Sequence, residues 1–124
     1  MSTSICLGID VGTSSTKCLA VGEDGRAIAL AQKHYALSHP REGWAEQDAE
    51  ELWDALVESV SGCVRECVSK GYASSDVRSL AMSTQGDTLI ATDSAGNPVA
   101  PAISWMDTRP DEEYRRRVAR AEGS

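Results

Sequence analysis

A short polar segment near the start of the chain combines the residue types that bind phosphate and divalent cations. It holds a carboxylate, a glycine, four hydroxyls and a lysine, at Asp10, Gly12, Thr13, Ser14, Ser15, Thr16 and Lys17. Gly12 lets the backbone approach a ligand closely, and consecutive N–H groups of such a turn can form an anion-binding nest. Asp10 suits a hydrated Mg²⁺ and Lys17 adds a positive charge, so the segment predicts a site for a metal–polyphosphate, and so for ATP. The alternative is an ordinary solvated hairpin turn in which Asp10 bonds its own backbone.

A second polar group suits a sugar or polyol. Gln85 and Asp87 follow the predicted strand 77–83, and ligands collect at strand ends in α/β sheets. Asp87 can accept hydrogen bonds from two neighbouring hydroxyls, and Gln85 can both donate and accept. Trp105 offers an apolar face to the C–H side of a sugar and an N–H to donate. The alternatives are that Asp87 opens the next strand and that Trp105 packs in the core or between lobes.

Other conspicuous residues receive structural predictions. Asp107 and Arg109 are expected to form an ion pair that fixes their loop, with a substrate contact as a second role for Arg109. Trp44 is expected to anchor its loop by packing. No catalytic role is assigned to His34 or His39, which are isolated in the sequence.

The polar turn must be positioned by the strands on either side of it. Apolar runs predict a hairpin over residues 4–10 and 16–22 and a third strand over 27–35, which together form an antiparallel meander. Residues 36–47 are predicted to be a loop. Residues 49–70 show helical periodicity, with Asp48 and Glu51 as a capping box. Further elements are predicted as a buried strand at 77–83, a strand at 88–92, a turn at 93–98, a short strand at 102–105 and a helix at 111–121.

Composition limits the class of protein. The chain has 124 residues with a net charge of −7, which predicts one domain and argues against a nucleic-acid partner. The basic run at residues 115–117 is interpreted as a mixed-charge helix face. No apolar run or secretory signal points to a membrane, so a cytoplasmic location is expected. The four cysteines are expected to be reduced thiols in the core, at Cys6, Cys18, Cys63 and Cys67.

The segment 10–17 resembles the first phosphate motif of the FGGY family of carbohydrate kinases. Two further stretches resemble the family in the same order, Gly-Trp-Ala-Glu-Gln-Asp at 43–48 and Ser-Thr-Gln-Gly-Asp at 83–87 followed by Ile-Ser-Trp-Met-Asp-Thr-Arg at 103–109. The resemblance implies an α/β fold of the ribonuclease H-like (actin-like ATPase) type. It identifies residues 1–124 as the N-terminal part of the first kinase domain, a mixed sheet that opens with an antiparallel three-strand meander and is flanked by helices.

The resemblance also implies an ATP-dependent carbohydrate kinase, a phosphotransferase that acts on an alcohol group. Asp10 and Lys17 would be catalytic, with Asp10 also the Mg²⁺ ligand. Phosphates would be bound by Gly12, Thr13, Ser14 and Ser15, and substrate by Gln85, Asp87, Trp105 and Arg109. The sequence departs from its relatives at Gly86, where glycerol kinases have arginine, and xylulokinases have Met-His in place of Gly86 and Asp87. The sugar therefore stays open, and Gly86 could make room for a substrate larger than glycerol.

In the family, the general base and the nucleotide-binding domain lie further along the chain. A fragment of 124 residues is therefore expected to be inactive alone, and a homodimer or a complementing chain would be its protein partner. Two alternatives are kept, a non-catalytic sugar-binding or regulatory remnant and another actin-like ATPase.

Overall fold

The computed structural model of the chain describes residues 4–122. They divide between two units, the first formed by the residues up to Ala36 and by Glu50–Gln85, the second by Leu37–Ala49 and the residues from Gly86 onward. The helices and strands, with one 3₁₀ turn at Ser74–Asp76, are β1 (Ile5–Val11), β2 (Ser15–Gly22), β3 (Ala27–His34), β4 (Glu46–Gln47), α1 (Ala49–Ser69), β5 (Val77–Thr84), β6 (Ala102–Ile103) and α2 (Arg109–Glu122).

The first unit contains a four-stranded sheet in the order β3-β2-β1-β5. β2 pairs antiparallel with both β1 and β3, so these strands form the predicted meander. β5 pairs with β1 in parallel, which makes the sheet mixed. The predicted mixed sheet opening with an antiparallel meander is confirmed.

The core of the first unit lies between one face of this sheet and α1. Because side chains alternate along a strand, Ile5, Leu7 and Ile9 of β1 face the core. β2 and β3 add small residues to this face, at Cys18, Ala20 and Ala29. The apolar side of α1 packs against them through Cys63 and Cys67. The predicted long amphipathic helix is therefore confirmed, and its end differs by one residue.

Two predictions about burial in this unit are wrong. β5 was expected to be buried, but all of its residues after Val77 are exposed. The reason is its position at the edge of the sheet, where only Val77 packs against the core cluster. Cys6 is also exposed, because it alternates with the buried Ile5 and Leu7, while the other cysteines are buried thiols.

The second unit contains a small antiparallel pair of strands, β4 and β6. The segment that contains β4 was predicted to be a loop, and this prediction is wrong for these two residues. The strand forms by pairing with a segment more than fifty residues away in sequence, so the local sequence does not indicate it. The strand predicted at 88–92 is wrong, since this segment makes only isolated bridges between Leu89 and Ile103 and between Thr92 and Pro98. The second helix begins at Arg109, before the expected start.

Candidate functional site

The polar turn between β1 and β2 presents Asp10 and Lys17 on the face of the sheet opposite the core. These two exposed residues are register partners in the antiparallel pair of strands. Gly12 N–H donates to the carbonyl of Ser15 over 2.9 Å. A Cβ added to Gly12 would lie 3.2 Å from that carbonyl oxygen and 3.9 Å from Asp10 Oδ2. The turn therefore has little room for a side chain at Gly12, which fits the predicted close approach of a phosphate.

The hydroxyl groups of the turn are not equivalent. Ser14 is exposed and Thr13 is half-buried, so both lie at the surface of the turn. Ser15 is buried, and its Oγ accepts a hydrogen bond of 2.9 Å from Gln32 Nε2. Thr16 is fully buried on the core side of the sheet. Thr13 and Ser14 are therefore the hydroxyls best placed for a ligand.

Two buried polar residues support the turn, and the sequence analysis did not identify either. The Tyr35 hydroxyl donates to the Gly12 carbonyl over 2.5 Å, and Tyr35 N–H donates to the Ser14 carbonyl over 3.2 Å. Ser59 of α1 donates through Oγ to the Thr16 carbonyl over 3.1 Å. The only sequence signal was an aromatic residue with a polar tip at the end of the predicted third strand, a type that usually bonds when buried.

The pKa of the Tyr35 phenol is raised, first by burial and further by the negative charge of Asp10, against the opposing effect of its bond with Thr16. The phenol therefore remains protonated and able to donate at neutral pH.

Asp10 is a candidate metal ligand. Within residues 4–122, no group of three or more His, Cys, Asp or Glu residues could hold a metal ion. This donor set fits Mg²⁺, which usually takes one or two protein carboxylates and completes its shell with water and phosphate oxygens. A concave region of about 500 Å³ adjoins Asp10 and Lys17 on the open face of the sheet, and Leu19, Leu30 and Met82 are among its lining residues. Asp10 and Lys17 thus line a space that a ligand could enter.

The structure places Gln85 beside the turn. Its N–H donates over 2.8 Å to the carbonyl of Val11, the residue before Gly12, and extends the pairing of β5 with β1. Gln85 is half-buried and belongs to the first unit, whereas the other predicted substrate residues belong to the second.

In the second unit, Asp87 and Trp105 lie on neighbouring segments. Trp105 N–H donates to Thr88 Oγ1 over 3.3 Å, and Leu89 and Ile103 exchange two backbone hydrogen bonds of 2.9 Å. Asp87 is exposed and has a φ of 57°, in the left-handed region that Asp tolerates better than most residues. Trp105 is 54% exposed, which contradicts the alternative that it packs in the core of this unit.

Arg109 takes part in a dense ionic cluster. Its Nε bonds both carboxylate oxygens of Asp107 at 2.9 Å, and its Nη2 bonds Asp107 at 2.6 Å and Glu46 at 2.7 Å. The guanidinium also lies 3.8 Å from the centre of the Trp44 ring. Asp107 accepts a further bond of 2.7 Å from the N–H of Ala45. The predicted ion pair and the packing role of Trp44 are confirmed, while a substrate contact by Arg109 stays a prediction.

The Arg109 guanidinium lowers the pKa of Asp107 to about 2, with help from the N–H groups of Ala45 and Arg109 and against the effect of burial. The Asp107 side chain is 0% exposed. The cluster therefore fixes the segment around Asp107 to the segment around β4 with a charge that stays ionised at neutral pH.

Comparison with known proteins shows which family the chain matches. The model for the N-terminal domain of the FGGY family of carbohydrate kinases matches residues 5–121. Glycerol kinase 2 of Streptomyces coelicolor is 36% identical over 104 residues, 83% of this chain and 20% of the relative. The xylulose kinase of Staphylococcus xylosus is 35% identical over 107 residues, 86% of this chain and 21% of the relative.

Solved structures of carbohydrate kinases have the same fold as this chain over the matched residues. The gluconate kinase from Lactobacillus acidophilus matches with a TM-score of 0.79 and 26% identity, over 96% of this chain and 23% of that one. The chain spans about a fifth of the length of the curated relatives it matches. Among the helices of residues 4–122, none has the length and apolar character needed to span a bilayer.

Proposed function

The chain belongs to the FGGY family of carbohydrate kinases, and we propose that it supplies the phosphate-binding segment of an enzyme that transfers phosphate from ATP to a sugar or polyol hydroxyl. The observation that carries this proposal is the turn between β1 and β2. It sets an exposed carboxylate and an exposed ammonium side by side, at Asp10 and Lys17, next to a glycine with little room for a side chain.

Each residue of the turn has a role in this proposal. Asp10 would hold Mg²⁺ directly or through water. A Mg²⁺ ion held there would supply positive charge against the phosphates during phosphoryl transfer. The N–H groups and hydroxyls of the turn would donate to the phosphates, with Gly12 giving access and Ser14 the exposed hydroxyl. Lys17 would attract the negative charge that develops in the transition state.

The substrate would be recognised from the second unit. Asp87 would accept hydrogen bonds from sugar hydroxyls and Trp105 would cover an apolar face, supported by the exposure of both. We retain Gln85 and Arg109 as further substrate residues. The relatives are named for glycerol, xylulose and gluconate, and these three compounds define the substrate class that we propose.

The first test is binding of MgATP by the chain, measured by isothermal titration. We expect binding by the wild type and a large loss in Asp10→Asn. Asp24→Asn is the matched control, because Asp24 is exposed in the neighbouring turn but does not face the candidate site. Wild-type chain that binds no MgATP, or an Asp10→Asn variant that binds as well as the control, would contradict the proposal.

Turnover is the second test. We expect the polypeptide of these 124 residues alone to release no ADP with glycerol, xylulose or gluconate, because its relatives are about four times as long. The general base is expected outside these residues. Robust turnover by the isolated polypeptide would refute this part of the proposal.

A partner chain is proposed from the edge of the sheet. β5 exposes its backbone edge together with Leu80 and Met82, which are 61% and 50% exposed. An unpaired edge with apolar side chains is a template for pairing with further chain. A complementing chain that carries the rest of the kinase would cover this edge and restore ADP release on co-expression, whereas a homodimer would double the mass without restoring turnover.

A second candidate function is a non-catalytic sugar-binding segment in the cytoplasm, where ATP-dependent sugar kinases also act. It is favoured by the exposure of Asp87 and Trp105 in the second unit. Binding of a sugar without binding of MgATP would select this candidate over the kinase.

A further inference from the structure

The carbonyl group of Gly12 is bonded in an unusual way for a hairpin turn. Gly12 N–H donates to the Ser15 carbonyl, which is one of the two bonds that a hydrogen-bonded pair of residues exchanges across antiparallel strands. The reciprocal bond, from Ser15 N–H to the Gly12 carbonyl, is absent from the backbone bonds of the described segment. The Tyr35 hydroxyl donates to that carbonyl instead. A side chain from the residue after β3 has thus replaced the closing bond of the turn.

This replacement has a consequence for the direction of the N–H groups. The peptide bonds of the described residues are all trans, and in a trans peptide the C=O and N–H of one unit point in opposite directions. The Gly12 C=O points at Tyr35, so the N–H of Thr13 points away from it. The Ser14 C=O accepts from the backbone N–H of Tyr35, so this residue holds the turn at two points.

We propose that Tyr35 is a positioning residue of the phosphate turn, whose hydroxyl holds the Gly12 carbonyl and so fixes the backbone of residues 12–15 for a ligand. The inference rests on the proposed phosphate-binding function. Tyr35 is suited to this role because the residue is 8% exposed and packs with Leu52 and Ala55 of α1. The helix therefore fixes the phenol, and the phenol fixes the turn.

The test compares two variants that each remove one phenolic oxygen from the full chain. Tyr35→Phe removes the bond to the turn, while Tyr72→Phe alters a half-buried tyrosine that packs against the core of the same unit. A net hydrogen bond corresponds to about a fivefold change in an equilibrium. We expect amide hydrogen exchange at residues 13–15 to be about fivefold faster in Tyr35→Phe, and MgATP affinity to fall by a similar factor, with neither change in Tyr72→Phe.

Amide hydrogen exchange at residues 13–15 tests the positioning role of Tyr35 even when no ligand is bound. Unchanged exchange at residues 13–15 in Tyr35→Phe would overturn it, and so would faster exchange spread equally over β1 and β2, which would show a general loss of stability. If the wild type binds no MgATP, the proposed function fails, while the exchange result still shows whether Tyr35 positions the turn. Weakened binding with unchanged exchange would also overturn the inference.

Discussion

The strongest prediction concerns the charge of Asp107. The change is Asp107→Asn, which keeps the shape of the side chain and one acceptor oxygen but removes the negative charge. In the structure this carboxylate receives bonds from the Arg109 guanidinium and from the N–H groups of Ala45 and Arg109, and its side chain is 0% exposed. Loss of the charge would leave the guanidinium of Arg109 with Glu46 as its remaining ionic partner.

The magnitude follows from the pKa of Asp107, which is lowered from 3.8 to about 2. A shift of one pKa unit corresponds to about 1.4 kcal/mol, so the charge is expected to contribute about 2 kcal/mol to the free energy of unfolding at neutral pH. Because the pKa in the folded state is depressed, this contribution is present above the unfolded value and is lost as pH falls from about 4 to about 2.

The chain offers a matched control for this experiment. Asp24 and Arg26 also stand two positions apart, and Asp24 also bonds the N–H of its arginine, over 3.0 Å. This pair is exposed, with 61% of the Asp24 side chain and 87% of the Arg26 side chain accessible. Exposed ion pairs contribute little because solvent screens them, so Asp24→Asn is expected to leave the free energy of unfolding nearly unchanged.

The measurement is urea unfolding of the wild type and both variants, from neutral pH down to about pH 2. The Asp107→Asn variant should be less stable at neutral pH, and its difference from the wild type should shrink as Asp107 of the wild type becomes protonated. Equal effects of the two substitutions, or a difference between Asp107→Asn and wild type that does not depend on pH, would refute the reasoning.

Three further predictions can be tested on the same chain. Gly86→Arg should leave stability unchanged, because a Cβ at Gly86 meets nothing within 4 Å, and it should shift binding towards glycerol in titrations; a large drop in melting temperature would contradict this. Gly12→Ala should weaken MgATP binding at least about tenfold, because the new methyl group would press on the Ser15 carbonyl at 3.2 Å. Iodoacetamide at about pH 8 should label the exposed Cys6 and leave Cys63 unmodified in mass spectra, because burial raises the pKa of Cys63 to about 12; rapid labelling of Cys63 would contradict its burial.

The sequence predicted the elements whose signal is local. Apolar residues alternate along β1 at Ile5, Leu7 and Ile9, and they recur at helical spacing along α1. Each pattern is repeated several times within one element, so the meander and its covering helix could be predicted. The sequence did not predict the exposure of β5, because an apolar strand looks the same at the edge of a sheet and at its centre. The short strand β4 was also missed, since its formation depends on β6 rather than on its own two residues.

The chemistry of the candidate site was easier to predict than its support. Asp10, Gly12 and Lys17 are adjacent in sequence, so their types and spacing could be interpreted together. The bond from Tyr35 to Gly12 joins residues 23 positions apart, and no spacing rule connects them. Arg109 was an intermediate case, because its bond to Asp107 is local while its bond to Glu46 crosses 63 positions.

The arrangement separates the groups that would meet ligands from the groups that hold them in place. Asp10, Ser14 and Lys17 are exposed in the first unit, and the buried phenol of Tyr35 fixes the backbone between them. A ligand-facing group must stay accessible, so it cannot gain rigidity from its own burial, and the required order must come from the backbone to which it is attached. Substitutions at Asp10 or Lys17 should therefore change affinity with little effect on folding, whereas Tyr35→Phe should change affinity through the mobility of the turn. Equal amide exchange in all three variants, alongside equal losses of affinity, would contradict this division of roles.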